Sequence, residues 1–169
     1  TPANEMNGSI DELRIWSVAR TADQIRTDMC RSTVSDATGL EQYWDLNEGT
    51  GFDVSEKASN YSGTMFNMTT TDWLTSGAPI GNESTFLYPG SWSGQSLNLV
   101  SCSGDEITLS NVTGSPSGMH LYVVEGDPNS TTGITNLTSG NHYYGVFMTD
   151  DGTEDYDVSY IYTDHPLLP

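Results

Sequence analysis

Apolar residues along this chain fall in short alternating runs and not in long helical stripes. Leu13 and Ile15 alternate with Arg14 and Trp16, the signature of a strand with one buried face. Ser17-Val18-Ala19-Arg20 then leads to Thr21-Ala22-Asp23-Gln24, a helix start. Thr21 is placed to cap, Gln24 to reach back three residues, and Asp23 to sit at the positive helix end. Residues 22–30 read as one short helix, with Ile25 and Met29 four apart on one face. Leu40–Leu46 reads as a second strand, running into the Asn47-Glu48-Gly49-Thr50-Gly51 turn. A linker-like passage at residues 69–81 sets a boundary near residue 82. Beyond it, strands are predicted over Thr85–Tyr88, Gln95–Val100, Glu106–Val112, Met119–Glu125, His142–Thr149 and Tyr156–Thr163, with a further one at Gly133–Leu137. Gly, Pro, Asn and Asp clusters separate them. Six or seven short strands at such intervals predict a β-sandwich of Ig-like dimensions.

Two motifs carry a resemblance. Gly8-x-Ile10-Asp11-Glu12-x-Arg14-Ile15-Trp16-x-x-Ala19-Arg20-x-x-x-x-Ile25 resembles the closing strand and helix of laminin-G-like, concanavalin-A-like jelly rolls in large secreted bacterial proteins. Gly39-Leu40-x-x-Tyr43-Trp44-x-Leu46-x-Glu48-Gly49-x-Gly51, followed by Asp53-x-Ser55 and Gly63-Thr64, resembles the way such a domain opens. The resemblance implies that residues 8–29 are structural and that the closing strand pairs with an opening strand. The body of a jelly roll is absent between the motifs and after them. Either residues 1–31 end a jelly roll whose body precedes Thr1, or the two strands pair with each other in a small sheet. The expected architecture is therefore all-β: a partial laminin-G-like jelly-roll segment with one short helix over residues 1–81, and a C-terminal Ig-like β-sandwich over 82–169. The second half also resembles a module that follows jelly rolls in secreted proteins of gliding marine bacteria.

Charge narrows the partners. The net charge is −18, although only 17% of residues are charged. Four arginines against five acids leave residues 1–31 near neutral at −1, whereas Lys57 against eighteen acids leaves the remainder at −17. Nucleic acid and anionic membrane both need a positive surface, so neither is an expected partner. No apolar run approaches the roughly 18 residues of a membrane span. The abundance of Ser, Thr, Asn, Gly and Tyr suits an extracellular or cell-surface all-β protein.

Candidate chemistry is sparse. His120, His142 and His165 lack metal-ligand spacing, and Asp11-Glu12 are adjacent, so on a strand they point to opposite faces. The paired carboxylates of a jelly-roll glycosidase need a common face, and an enzyme is not expected. The dense acids Asp150, Asp151, Glu154, Asp155 and Asp157 lie between two strands that read as a hairpin. Their mutual repulsion would be relieved by Ca2+ held through oxygen ligands; a solvated hairpin tip that blunts a sheet edge is the alternative. Cys30 and Cys102 are the only cysteines in a chain read as secreted, and a disulfide between them is expected. Two reduced thiols, or a bond to another chain, are the alternatives. Trp92, in the loop Pro89–Gly94, and the pair Tyr143-Tyr144 are candidate ligand-binding aromatics, because a flat ring stacks on the apolar face of a pyranose. The function expected is that of a non-catalytic adhesion or assembly module of a larger secreted protein, meeting a glycan or protein surface, or copies of itself by strand addition. A carbohydrate-binding module of a polysaccharide-degrading enzyme and a filament subunit are the alternatives.

Overall fold

The structure, a computed structural model, describes residues 7–32, 37–59, 61–128, 130, 132, 142–150, 154–161 and 163. Among these the chain is all-β in small antiparallel sheets, with one short helix. It forms two compact units that do not follow chain order. Residues 1–20 and 33–78 make the first, and residues 21–32 and 79–169 the second.

In the first unit, β1 (Leu13–Trp16) pairs antiparallel with β2 (Leu40–Trp44), in the register Leu13↔Trp44, Arg14↔Tyr43 and Ile15↔Gln42. The internal pairing of the two strands is thus present. A second two-stranded sheet joins β3 (Asp53–Ser55) to β4 (Ser62–Thr64), and a Trp44–Glu56 bridge ties the two sheets. Polar contacts hold this unit as much as apolar burial does. Glu12 accepts from the Arg14 guanidinium at 2.6 Å and from the Tyr43 hydroxyl at 2.8 Å, and the guanidinium lies 5.3 Å over the Tyr43 ring. Glu56, nearly fully buried, accepts from the Tyr43, Ala58 and Ser59 amides and the Ser59 hydroxyl at 2.5–2.7 Å. Burial alone would favour its protonated form. The hydrogen bonds from Ser59, Tyr43 and Ala58 outweigh that and hold the carboxyl down at about 2. Leu13, Ile15, Phe66 and Leu74 remain exposed, whereas Tyr43 and Val54 are buried.

The second unit is sandwich-like. One sheet has the order β5-β8-β9, from β5 (Glu83–Leu87), β8 (Met119–Val124) and β9 (Tyr143–Met148). The other has the order β10-β7-β6, from β6 (Leu97–Val100), β7 (Glu106–Ser110) and β10 (Asp157–Ile161). Both are antiparallel throughout. Alternate residues of β6, β7 and β8 point inward, so Leu97, Leu99, Ile107, Leu109, Met119, Leu121 and Val123 form one buried core. The predicted strand at Gly133–Leu137 lies outside the described residues. Helix α1 (Ala22–Asp28) belongs to this unit and packs on β5. The expected capping box forms: the Gln24 amide donates to Thr21 Oγ1 at 3.3 Å, and the Thr21 amide to Gln24 Oε1 at 2.9 Å. Ile25 is exposed, so α1 is anchored by other contacts. The Ser84 hydroxyl donates to the Thr27 carbonyl at 3.4 Å, and the Arg26 guanidinium lies 3.9 Å over the Tyr88 ring.

Candidate functional site

Strand alternation sends half of each β5-β8-β9 residue set inward and the other half to the opposite face. On β8 the outward set is His120, Tyr122 and Val124; on β9 it is Tyr143, Gly145 and Phe147. Cross-strand partners place Phe86, His120 and Phe147 in one row, Ser84, Tyr122 and Gly145 in the next, and Val124 and Tyr143 in the third. The first row is a continuous aromatic ladder, with ring centroids 5.6 Å apart for Phe86–His120 and 5.9 Å for His120–Phe147. In the second row the absence of a side chain at Gly145 is what shapes the surface. A Cβ there would stand 2.0 Å from Tyr122 Cζ, so the Tyr122 ring lies across the backbone of β9. The Tyr122 phenol is raised in pKa by burial, then by Tyr143 and Cys30 beside it, and keeps its proton at neutral pH. Tyr122, Tyr143, Phe147 and Phe86 are all half-buried. His120 at the centre of this face is fully buried and α1 packs over its β5 side, so the half-buried rings of Tyr122, Tyr143 and Phe147 on the β8–β9 side are the part that marks a candidate binding face.

Of the aromatics expected to meet a ligand, Tyr143 lies on this face. Tyr144, its neighbour, points into the sandwich and donates to the Asp105 carbonyl at 2.8 Å. Trp92, expected in an exposed loop, is buried at 5% exposure and belongs to the core. The loop folds back so that the indole caps the end of the core, and its Nε1 donates to the Pro116 carbonyl at 2.7 Å. It floors an open cleft of about 500 Å³ lined mainly by Ser91, Ser93, Ser115, Ser117 and Val112. Tyr122, Phe147 and Gly145 escaped sequence reading as site residues, although alternation in Met119–Val124 and Tyr143–Met148 carried the signal.

Comparison with protein-family models, curated proteins and solved structures returns no match.

The described acids of the hairpin after β9 each turn to a different partner. The Ser117 amide donates to the Asp150 carboxylate, which holds it below its ordinary pKa. Glu154 lies against Gly114, the Asp155 backbone exchanges bonds with Thr113, and Asp157 Oδ2 accepts from Asn111 Nδ2 at 2.8 Å. Asp151 lies outside the described residues. Among those described, no three His, Cys, Asp or Glu side chains converge as a metal site would need. A second polar cluster surrounds Asp105, which is fully buried. Its Oδ1 accepts from the Thr163 amide at 2.7 Å, and its Oδ2 lies 3.3 Å from the Tyr160 hydroxyl and 3.1 Å from His142 Nε2. Burial, then Tyr144 and Asp105, raise the Tyr160 phenol, so it stays a neutral donor.

The expected disulfide is corrected: Cys30 and Cys102 are both free. Cys30 ends the helical segment, fully buried, where burial pushes its thiol up to about 11. Cys102 is exposed in the turn between β6 and β7, its thiol raised by a hydrogen bond to Glu125. A buried sulfur and an exposed one outside bonding distance cannot join without backbone movement. Thiol labelling of the native protein should therefore modify Cys102 alone, with Cys30 reacting only after denaturation. Two unreactive cysteines that become labelled after reduction would restore the bridge.

Proposed function

We propose that this chain is a non-catalytic adhesion module of a larger extracellular or cell-surface protein, and that it meets its partner through the outer face of β8 and β9. The observation that carries this reading is the half-buried aromatic surface of Tyr122, Tyr143 and Phe147, laid on a rigid sheet by Gly145. Rings fixed in this way lose little conformational entropy on binding, which favours them as anchors. Glu56, Asp105, Asp150 and Asp157 are engaged in hydrogen bonds that hold loops and strand ends together, which supports a structural use of the carboxylates. Within this reading the first unit is a shortened piece of a laminin-G-like jelly roll, supported by the β1–β2 pairing that the resemblance implies. The second unit is an Ig-like sandwich. Assembly by donation of β1 to an acidic neighbour is disfavoured. β1 pairs with β2 within this chain, and the N-terminal arginines that would favour an acidic neighbour are already engaged: Arg14 bonds Glu12, Arg20 lies 3.8 Å over Trp16, Arg26 covers Tyr88, and Arg31 reaches Glu83 at 3.7 Å.

Co-sedimentation of the protein with insoluble cell-wall and matrix polysaccharide preparations tests the proposal, with reducing-sugar release measured on the same samples. Retention without sugar release is expected. Sugar release would overturn the non-catalytic reading, and failure to sediment with any preparation would overturn adhesion.

A further inference from the structure

We infer that the ligand of the β8–β9 face is an electroneutral hexopyranose chain, stacked on Tyr122 and Tyr143 with Phe147 completing the apolar floor. This rests on the adhesion reading above and adds the chemical class of the partner.

Three observations select that class. The first is shape. Tyr122 crosses Gly145, its direct cross-strand partner, and Tyr143 and Phe147 stand two residues to either side of Gly145 on the same face. Successive rings along one strand face are therefore about 7 Å from the glycine between them. The result is an elongated aromatic strip, suited to a chain of sugar rings and not to one small ligand. The axial C–H groups of a pyranose carry partial positive charge and meet the negative face of an aromatic ring favourably.

The second is charge. The chain carries −18 overall, and in this unit Arg26 is committed to Tyr88 and Arg31 to Glu83. Sulfated or uronic polysaccharides need paired cations, as any anion does. An acidic body of this kind repels them, and a neutral glycan meets no such penalty. The third is the pattern of polar atoms. The Tyr122 phenol is protonated at neutral pH like any tyrosine, and burial and Tyr143 raise its pKa further. It thus offers an O–H that both donates and accepts, the bonding capacity that sugar hydroxyls share. A protein hot spot would more often combine such rings with a desolvated Arg.

Affinity electrophoresis reads the inference directly, with gels containing mixed-linkage β-glucan, xyloglucan, galactomannan or agarose, against alginate, polygalacturonate and dextran sulfate. Retardation by at least one neutral polysaccharide and by none of the anionic ones is expected. Tyr143→Ala should weaken the retarded interaction by about tenfold or more. Tyr122→Phe keeps the stacking ring but loses the O–H, and should weaken the interaction by a smaller factor, about threefold. Near-UV circular dichroism of each variant confirms that the sandwich is intact. Retardation by anionic polysaccharides only, an unchanged affinity in Tyr143→Ala, or no retardation by any neutral polysaccharide would each overturn the inference. In the last case, continued co-sedimentation that Tyr143→Ala abolishes would leave the adhesion face standing with another component of the insoluble preparations in place of a neutral hexopyranose chain. Loss of co-sedimentation in the parent itself is the separate failure of the adhesion reading.

Discussion

Replacing Asp105 by alanine is expected to cost the second unit about 3 kcal/mol, on the scale set by removing a buried acceptor that several donors share. The carboxylate is fully buried and gathers the Thr163 amide, the Tyr160 hydroxyl and His142 Nε2 at 2.7–3.3 Å. Its own carbonyl accepts from the Ser101 amide at 2.8 Å and the Tyr144 hydroxyl at 2.8 Å, so the residue fixes the β6–β7 turn while holding β9 and β10. An Asp105→Ala chain keeps the backbone bonds and strips the buried acceptor from the Thr163 amide and from the half-buried Tyr160 hydroxyl and His142 Nε2, which are left without it inside the sandwich edge. A domain of this size has a total stability of roughly 5–15 kcal/mol, so the loss takes a large part of the margin against unfolding. Asp105→Asn retains one oxygen acceptor and should lose about half as much. Urea denaturation followed by tryptophan fluorescence measures both, since Trp92 lies in the same core. A loss below about 1 kcal/mol for the alanine variant would mean that water replaces the carboxylate and that the cluster is peripheral to stability.

That cluster shows where sequence reading runs out. Strands β6 to β8 were legible because Leu97 and Leu99, Ile107 and Leu109, and Leu121 and Val123 recur with period two, and a period of two fixes a face without reference to tertiary contacts. The capping box on α1 was legible for the same local reason. Asp105, following Ser103-Gly104 just before β7, carries no sequence signal of its role. Its burial depends on Tyr160 and Thr163, more than fifty residues away, which no local pattern announces. Trp92 failed in the opposite direction. Its neighbours are Gly, Ser and Pro, the composition of an exposed loop, yet the loop folds the indole back onto Pro116. Cysteine pairing failed because counting thiols carries no distance. Strands β3 and β4, three residues each, are too short for a period to register. The binding face was half legible: Tyr143 was visible as an aromatic in a strand, but Tyr122 acquires its position only from the register that sets Gly145 opposite it.

Acid should weaken the second unit through His120, beginning at pH values where ordinary carboxylates are still ionised. This imidazole is fully buried on the face between Phe86 of β5, Phe147 of β9 and the Tyr88 ring, with Arg26 of α1 covering Tyr88. Its Nε2 lies 2.9 Å from the Tyr88 hydroxyl, and among the described residues its Nδ1 has no hydrogen-bond partner. Burial first, and then the nearby Arg26 charge, lower its pKa to about 4 from the ordinary 6.5. The sign follows from where the proton binds. Above pH 6.5 both folded and unfolded chains hold a neutral imidazole, and stability does not depend on it. Between 6.5 and 4 the unfolded chain takes up a proton that the folded chain refuses, so stability falls as pH falls. The slope approaches about 1.4 kcal/mol per pH unit and the total reaches at most about 3 kcal/mol near pH 4, where it levels off. Unfolding free energies of the parent and of His120→Phe at pH 7, 6, 5 and 4 isolate the effect. The substitution removes the Tyr88 partner at every pH, a constant offset, but it also removes the titration. The parent should lose about 3 kcal/mol relative to the variant over that range. Parallel curves would show that the imidazole finds a partner for its second proton without opening the sheet, and the aromatic cage would then be no barrier to charge.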